Sequence, residues 1–271
     1  MSPNITAWRD SSVMASKAEV LQQLIDMSHQ LGIEGRGLVI LGEGNTSAKI
    51  DDNTFFVKAS GTQLGTIKAE GVVEVNAPKV LEMLDGPELA DAEIKARLRA
   101  AMVDPQGKYL PSIETVFHAF LLSLPGVGFV GHTHPISVNS ILCSIWTKNW
   151  RKATEGRLFP DEIVCCGIAP AYVEYTDPGV TLARKVRQAV QDYIKEHGSR
   201  PKAVLMQNHG LIAIGDTAKE VESITLMWDK TAKVLAGTVH FSGPNYMTQE
   251  QVDRIGSRPD EDQRKKLIEG R

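Results

Sequence analysis

The sequence predicts a mixed α/β fold, one domain over residues 1–245 followed by a helical tail over 246–271. Three observations lead there. A chain of 271 residues with 42% hydrophobic content can bury a substantial core. Short runs of β-branched and aromatic residues bounded by turn residues alternate with segments of helical period. No linker, repeat or low-complexity block divides the chain, so a single packed unit is the economical reading.

From Ser12 to Leu31 the residues Val13, Val20, Leu21, Leu24, Ile25, Met27 and Leu31 recur near helical spacing, and Gly32 stops the run. "GLVIL", "TSAKI" and "TFFVKA" read as short strands joined by tight turns, with "GVVEVN" after them. Between Ala77 and Lys108, "PKVLEMLD" and "DAEIKARLRAAM" read as two short helices around a Gly-Pro turn, with a solvated charged face. "PSIETVFHAFLLSLPGV" starts a helix after Pro111 and Ser112 and ends at Pro125-Gly126. "GFVGHTH" is the next strand, and Pro135 with "ISVNSILCSIW" opens a helix. "EIVCC" and "AYVEY" follow, then a helix from about Val180 to His197, "KAVLMQNHGLIAIG" as strand, turn and strand, and a helix from Ala218 to Ala236. The stretch from Met247 is charged and helical in pattern, fitting a surface or subunit-contact element.

A formal net charge of −3 offers no field to gather nucleic acid or an anionic membrane, so an anionic ligand must be held locally. The N-terminal residues lack a basic region followed by an apolar core, and the most apolar later stretch, "AFLLSLPGVGFVG", is broken by serine, proline and glycine. A cytoplasmic protein is expected. Cys143, Cys165 and Cys166 are odd in number, lack C-x-x-C spacing and lie in apolar surroundings, which reads as reduced core thiols.

Three constellations could carry chemistry. In "FVGHTHPISVNSILC" His132 and His134 fall on one face of a strand, because side chains alternate. Alone, that pair fits core histidines as well as a metal grip. His209 in "QNHGLIAIG", beside Gly210 at a strand mouth, adds a third imidazole, and three histidines with one open position suit a catalytic metal. Glu114 begins the helix that leads into the histidine strand, where it could simply favour the helix dipole. Yet that helix rises roughly 15 Å from Glu114 to Leu124 and the six-residue strand returns roughly 20 Å, so the carboxylate can lie beside the histidines. His118, one turn on, fits a packed or supporting residue better than a ligand. Finally, "GEGNTSAK" and "KASGTQLG" could cradle an anion with backbone N–H groups or be ordinary turns. Gly42-x-Gly44 lacks Rossmann or Walker spacing, and neither G-x-S-x-G nor H-E-x-x-H occurs.

In order, "GEGNTSAK", "KASGTQLG", "PSIETVFHA", "GHTHP" and "NHGLIAIGD" resemble the class II aldolase/adducin family over roughly Ala15 to Gly237. The resemblance implies a three-layer α/β/α fold with a mixed, largely antiparallel central sheet, and a homotetramer with active sites between subunits. It implies zinc, or another divalent transition metal, on His132, His134 and His209. Glu114 would be the acid/base and can also bind the metal before substrate arrives. Phosphate would fall to Asn45, Ser60, Gly61 and Ser112. The implied reaction is retro-aldol cleavage of a small ketose phosphate or related hydroxy-ketone, as in fuculose- or rhamnulose-phosphate aldolases. Tyr172 in "APAYVEYTDPG" resembles a tyrosine that reaches across the subunit boundary as proton donor, although a tyrosine in an alternating strand is usually half-buried packing.

Two departures stand out. Ile113 occupies the place of a second serine before the carboxylate, removing one phosphate hydroxyl, and the segment from Leu84 to Leu110 is longer than in the small sugar-phosphate aldolases. Epimerases and decarboxylases of the same fold share the enolate chemistry, and Glu114 favours aldolase over the epimerases, which carry aspartate there. An adducin-like interaction module would not need the metal histidines. A structural zinc would need four protein ligands.

Overall fold

The computed structural model describes residues 15–144, 150–259, 266–268 and 270. Helix α1 (Lys17–Leu31) starts at a capping box, with the Ser16 side chain accepting from the Glu19 N–H and the Glu19 carboxylate accepting from the Ser16 N–H. Residues 12–14 of the expected helix lie outside the described residues. Next come β1 (Asn45–Lys49), β2 (Thr54–Lys58), β3 (Val72–Asn76), α2 (Ala77–Asp85) and α3 (Asp91–Ala101). Asn76 caps α2, and Pro78 sits in its first turn, where a missing N–H costs no hydrogen bond.

Helix α4 (Thr115–Leu122) leads into β4 (Phe129–Thr133), followed by α5 (Ile136–Leu142), α6 (Trp150–Glu155) and α7 (Pro160–Cys166). The end of the helix expected over "ISVNSILCSIW" falls partly outside the described residues. The remaining elements are β5 (Ala171–Val173), α8 (Val180–His197), β6 (Ala203–Met206), β7 (Gly210–Gly215), α9 (Ala218–Thr238) and α10 (Gln249–Ser257). Among the described residues no helix is long and apolar enough to cross a membrane.

The strands form one seven-stranded mixed sheet in the order β3-β2-β1-β4-β7-β6-β5. Every pairing is antiparallel except β5 with β6. Alternation divides the core between the two faces. Phe55 and Val57 of β2, Val130 of β4 and Ile212 and Ile214 of β7 pack with Val116 and Phe117 of α4 and Val186 and Val190 of α8. Phe56, Phe129, Leu211 and Ala213, pointing oppositely, pack with Leu24 and Leu31 of α1 and Ile224 and Trp228 of α9. Helices therefore cover both faces, giving the three layers. Beyond them, Val252 and Ile255 of α10 pack on Ile163 and Val164 of α7.

Two local expectations need correction. "GLVIL" is not a strand: Leu38 and Val39 are buried, but the run makes single bonds, Ile136 N–H to Gly37 O and His134 N–H to Leu38 O, before Leu41 turns at φ 51°. Its apolar content reflects burial in the α1 and α9 face rather than a ladder. "EIVCC" lies within α7, burying Cys165 and Cys166, whereas Cys143 is exposed at the end of α5 rather than in the core. The long 84–110 segment returns along the sheet edge. There the Val103 N–H donates to Glu74 O, Met102 bridges to Val75, and the Ser60 N–H donates to Leu110 O.

Helix α1 ends where two backbones touch: a Cβ on Gly32 would lie 2.1 Å from the Gly65 nitrogen. Gly32→Ala is expected to lower unfolding free energy by about 2–3 kcal/mol, as overpacking does, read from urea denaturation. Gly35→Ala, where a Cβ would meet nothing within 4 Å, should change it by less than about 0.5 kcal/mol.

Candidate functional site

The antiparallel register sets the site. Asn45 at the start of β1 pairs with His132 near the end of β4, and His132 pairs with Ile212 of β7 on its other side. His132 and His134 point the same way, with ring centroids 4.7 Å apart. Asn208, at φ 53°, turns the chain between β6 and β7 and presents His209, whose carbonyl accepts from the Asn139 amide at 3.1 Å.

The ring nitrogens converge. Nδ1 of His132 lies 3.0 Å from the Leu211 carbonyl and Nδ1 of His134 lies 3.1 Å from a Glu43 carboxylate oxygen. Both partners accept, so both Nδ1 atoms carry the proton, a tautomer assigned from the partners. The two Nε2 atoms then face each other 3.0 Å apart, placed to share one proton or a common metal ion. With neither present, their lone pairs repel. One ligand nitrogen from each of His132, His134 and His209 falls within 4.8 Å of the others. The donor set fits a divalent transition metal with one side open. Burial pushes the His132 pKa down to about 3, against the opposing pull of Glu114, so this ring is neutral and available as a ligand at neutral pH.

Glu114 precedes α4 but caps nothing with its side chain. Instead its carboxylate turns to the histidines: Oε1 is 3.1 Å from His209 Nε2, and Oε2 is 3.6 Å from His132 Nε2. The Asn45 amide donates to Oε2 at 2.6 Å. Burial opposes its ionisation, but the hydrogen bonds from His209 and Asn45 hold the carboxyl below the usual carboxylate range.

Behind Asn45 runs a directed chain. With its amide donating to Glu114, the Asn45 oxygen accepts from Nε2–H of His118, and His118 Nδ1 then accepts from the Ser47 hydroxyl at 2.7 Å. Burial holds His118 at a pKa of about 3, hence neutral, as that polarity requires. His118 is thus a supporting residue.

The loop residues take different places. Ser60 and Gly61 are exposed beside the segment 110–112, where Pro111 bridges to Ala59 and the Ser112 hydroxyl accepts from the Glu114 N–H at 3.3 Å. Asn45 faces Glu114 rather than these loops. Ile113 packs against the α4 and α8 face of the core, near Gly179. Tyr172, on the sheet edge strand β5, packs against the opposite face from His132, and its hydroxyl accepts from Thr154 at 3.2 Å. Strands β6 and β7 separate it from β4, so one protomer does not bring it to the histidines.

Two residues were not anticipated. Lys58 is 2% exposed and sets its ammonium 3.2 Å from Gly42 O and 3.5 Å from Ala59 O, between the two glycine loops. Burial lowers its pKa to about 8, against the raising influence of Glu114. Its signal was a lysine closing an otherwise apolar strand directly before "ASGT". Glu43 was visible only as an acid inside "GEGN", with nothing to indicate its partner.

The Class II Aldolase and Adducin N-terminal domain profile matches residues 22–236. The chain belongs to that family. Among relatives, it is 27% identical over 270 residues to the uncharacterized oxidoreductase YuxG of Bacillus subtilis (strain 168), covering 96% of this chain and 35% of that one. It thus spans about a third of that relative's length. It is 25% identical over 188 residues to methylthioribulose-1-phosphate dehydratase of Geobacillus thermodenitrificans (strain NG80-2), covering 69% of this chain and 77% of the relative. The N-terminal class II aldolase domain of a conserved Thermoplasma acidophilum protein superposes with a TM-score of 0.64 at 25% identity, over 85% of this chain and 100% of that domain.

In this class II aldolase family member a Cβ on Gly210 would lie 2.6 Å from His134 Cδ2 and 3.3 Å from His132 Cε1. Gly210→Ala should therefore displace both rings and weaken divalent-ion binding at least about 10-fold, measured by chelator competition, on a chain that still folds.

Proposed function

We propose that this class II aldolase family member is a divalent-metal-dependent enzyme, with zinc as the metal, that cleaves a small ketose phosphate or related hydroxy-ketone by a retro-aldol reaction. The observation that carries this reading is the pair of facing Nε2 atoms 3.0 Å apart with the Glu114 carboxylate alongside. His132, His134 and His209 would hold the ion through Nε2. When bound, a divalent ion supplies Lewis-acid stabilisation of negative charge on the substrate's carbonyl oxygen.

The chain's own residues supply the rest. As the carbon–carbon bond breaks, its electron pair moves toward the carbonyl, leaving an enediolate and an aldehyde. In the synthetic direction the ionised Glu114 carboxylate removes a proton from the nucleophilic carbon; in cleavage the carboxyl takes up a proton from solvent and delivers it to that carbon. The Asn45 amide fixes the carboxylate's orientation through a bond of 2.6 Å, itself fixed by His118 and Ser47. In the synthetic direction Tyr172, contributed by a neighbouring subunit of a homotetramer, gives its hydroxyl proton to the aldehyde oxygen; in cleavage its phenolate takes that proton from the substrate hydroxyl and returns it to solvent. Ser60, Gly61 and Ser112 line the anion loops, and the Lys58 ammonium between them supplies a charge where Ile113 offers no hydroxyl.

A dehydratase reading is favoured by the 25% identity to methylthioribulose-1-phosphate dehydratase. It shares the proton transfer by Glu114 but expels water instead of an aldehyde. Product analysis separates them: aldolase action on ketose 1-phosphates yields dihydroxyacetone phosphate and an aldehyde, whereas dehydration leaves the carbon skeleton whole.

Removal of divalent ions should abolish turnover, and zinc should restore it. Glu114→Gln should keep metal affinity but lose proton exchange into dihydroxyacetone phosphate by at least about 100-fold, followed by NMR in deuterated water. Unchanged exchange would sink the assigned role. Because Lys58 loses its proton near pH 8, kcat/KM for a phosphorylated ketose should fall as pH rises through about 8. Lys58→Met should have a higher KM and lack that limb of the profile.

A further inference from the structure

Glu43 lies in the turn between Leu41, at φ 51°, and β1. One of its carboxylate oxygens accepts from the Ile40 N–H at 2.6 Å, and the other lies 3.1 Å from Nδ1 of His134. The Glu43 N–H in turn donates to Ile40 O at 3.2 Å. The side chain is thus folded back into its own turn and spans from there to the ring, although its surroundings are open to water.

The two histidines of β4 are oriented by different means. His132 is buried, and its Nδ1–H meets a main-chain carbonyl of β7 that the sheet holds in place. His134 lies past the end of the strand, where no ladder continues, and its backbone N–H bonds only to Leu38 O of the preceding loop. Its ring direction and tautomer are therefore left to a side chain. A carboxylate at Nδ1 fixes the proton there, leaves Nε2 as the lone pair, and raises the basicity of that nitrogen. Without it, the ring can carry its proton on Nε2, which would turn an N–H toward the other histidines.

We propose that Glu43 is the positioning residue for His134, holding its ring in the Nδ1–H tautomer so that Nε2 is presented to a divalent cation. The proposal rests on reading the three histidines as metal ligands. It places a charged residue of the "GEGN" turn in support of the metal centre and separates its role from that of Glu114.

The test uses the whole 271-residue chain. In metal-free, 15N-labelled protein, long-range proton–nitrogen correlation reads the His134 tautomer directly. In the same preparations, affinity for Zn2+ is measured by competition with a chromophoric chelator. The wild-type protein should show His134 as Nδ1–H. Glu43→Ala should lose that preference and bind Zn2+ about 10–100-fold more weakly. Glu43→Gln keeps an acceptor oxygen and should retain the tautomer, with a loss of less than about 10-fold. A wild-type tautomer and wild-type Zn2+ affinity in Glu43→Ala would overturn the proposal. Failure of the wild-type protein to bind Zn2+, Co2+ or Mn2+ would instead overturn the reading of the histidines as ligands, and the proposal with it.

Discussion

His132 and His134 each donate Nδ1–H to an acceptor and bring their Nε2 atoms within 3.0 Å of each other. That close approach, favourable only with a shared proton or a metal ion, is the constraint on which the site depends, and several parts of the fold impose it. The sheet fixes one ring, since the Leu211 carbonyl is a main-chain group in the β4–β7 pairing. A turn fixes the other. Gly210 leaves room for both, because a Cβ there would collide with the His134 ring and the Thr133 carbonyl and press tightly on His132. An arrangement with unfavourable electrostatics in isolation is retained only where surrounding structure over-determines it, and such places are commonly functional.

The second ordering device is the one-way sequence from Ser47 through His118 and Asn45 to Glu114. Ser47 donates, His118 and Asn45 each accept on one side and donate on the other, and the Glu114 carboxylate accepts. A buried network of this kind is stable because every polar atom along it is satisfied, and the low local dielectric makes each bond count for more. Its consequence for chemistry is orientation. Glu114 meets the histidines with one edge and the amide with a fixed oxygen, so its basic lone pairs point in known directions before substrate arrives.

Much of this was legible in the sequence, and what escaped has a physical reason. Strand alternation placed His132 and His134 on one face, and the matched lengths of α4 and β4 brought Glu114 alongside, because both follow from fixed rises per residue. "GLVIL" misled because Leu38 and Val39 are buried in a loop, and composition cannot distinguish a buried loop from a buried strand. Lys58 and Glu43 escaped because their roles come from where their side chains end. A lysine between two loops 16 residues apart is visible only once those loops are folded together. Ile113 was read for the hydroxyl it lacks, whereas its packing toward Gly179 explains its presence as a core contact.

The long segment that follows α3 also bears on a hazard common to all open sheets. An edge strand displays unpaired N–H and C=O groups that another chain can extend, which is the route to fibrillar aggregation. Along β3, Met102 and Val103 occupy that edge, and a few residues later Leu110 pins the chain to Ser60. One stretch of chain therefore closes a growth face and pins the Ser60 turn. Loosening it would expose that edge and free the turn together, so insertions or cuts within it are poor places to engineer this protein.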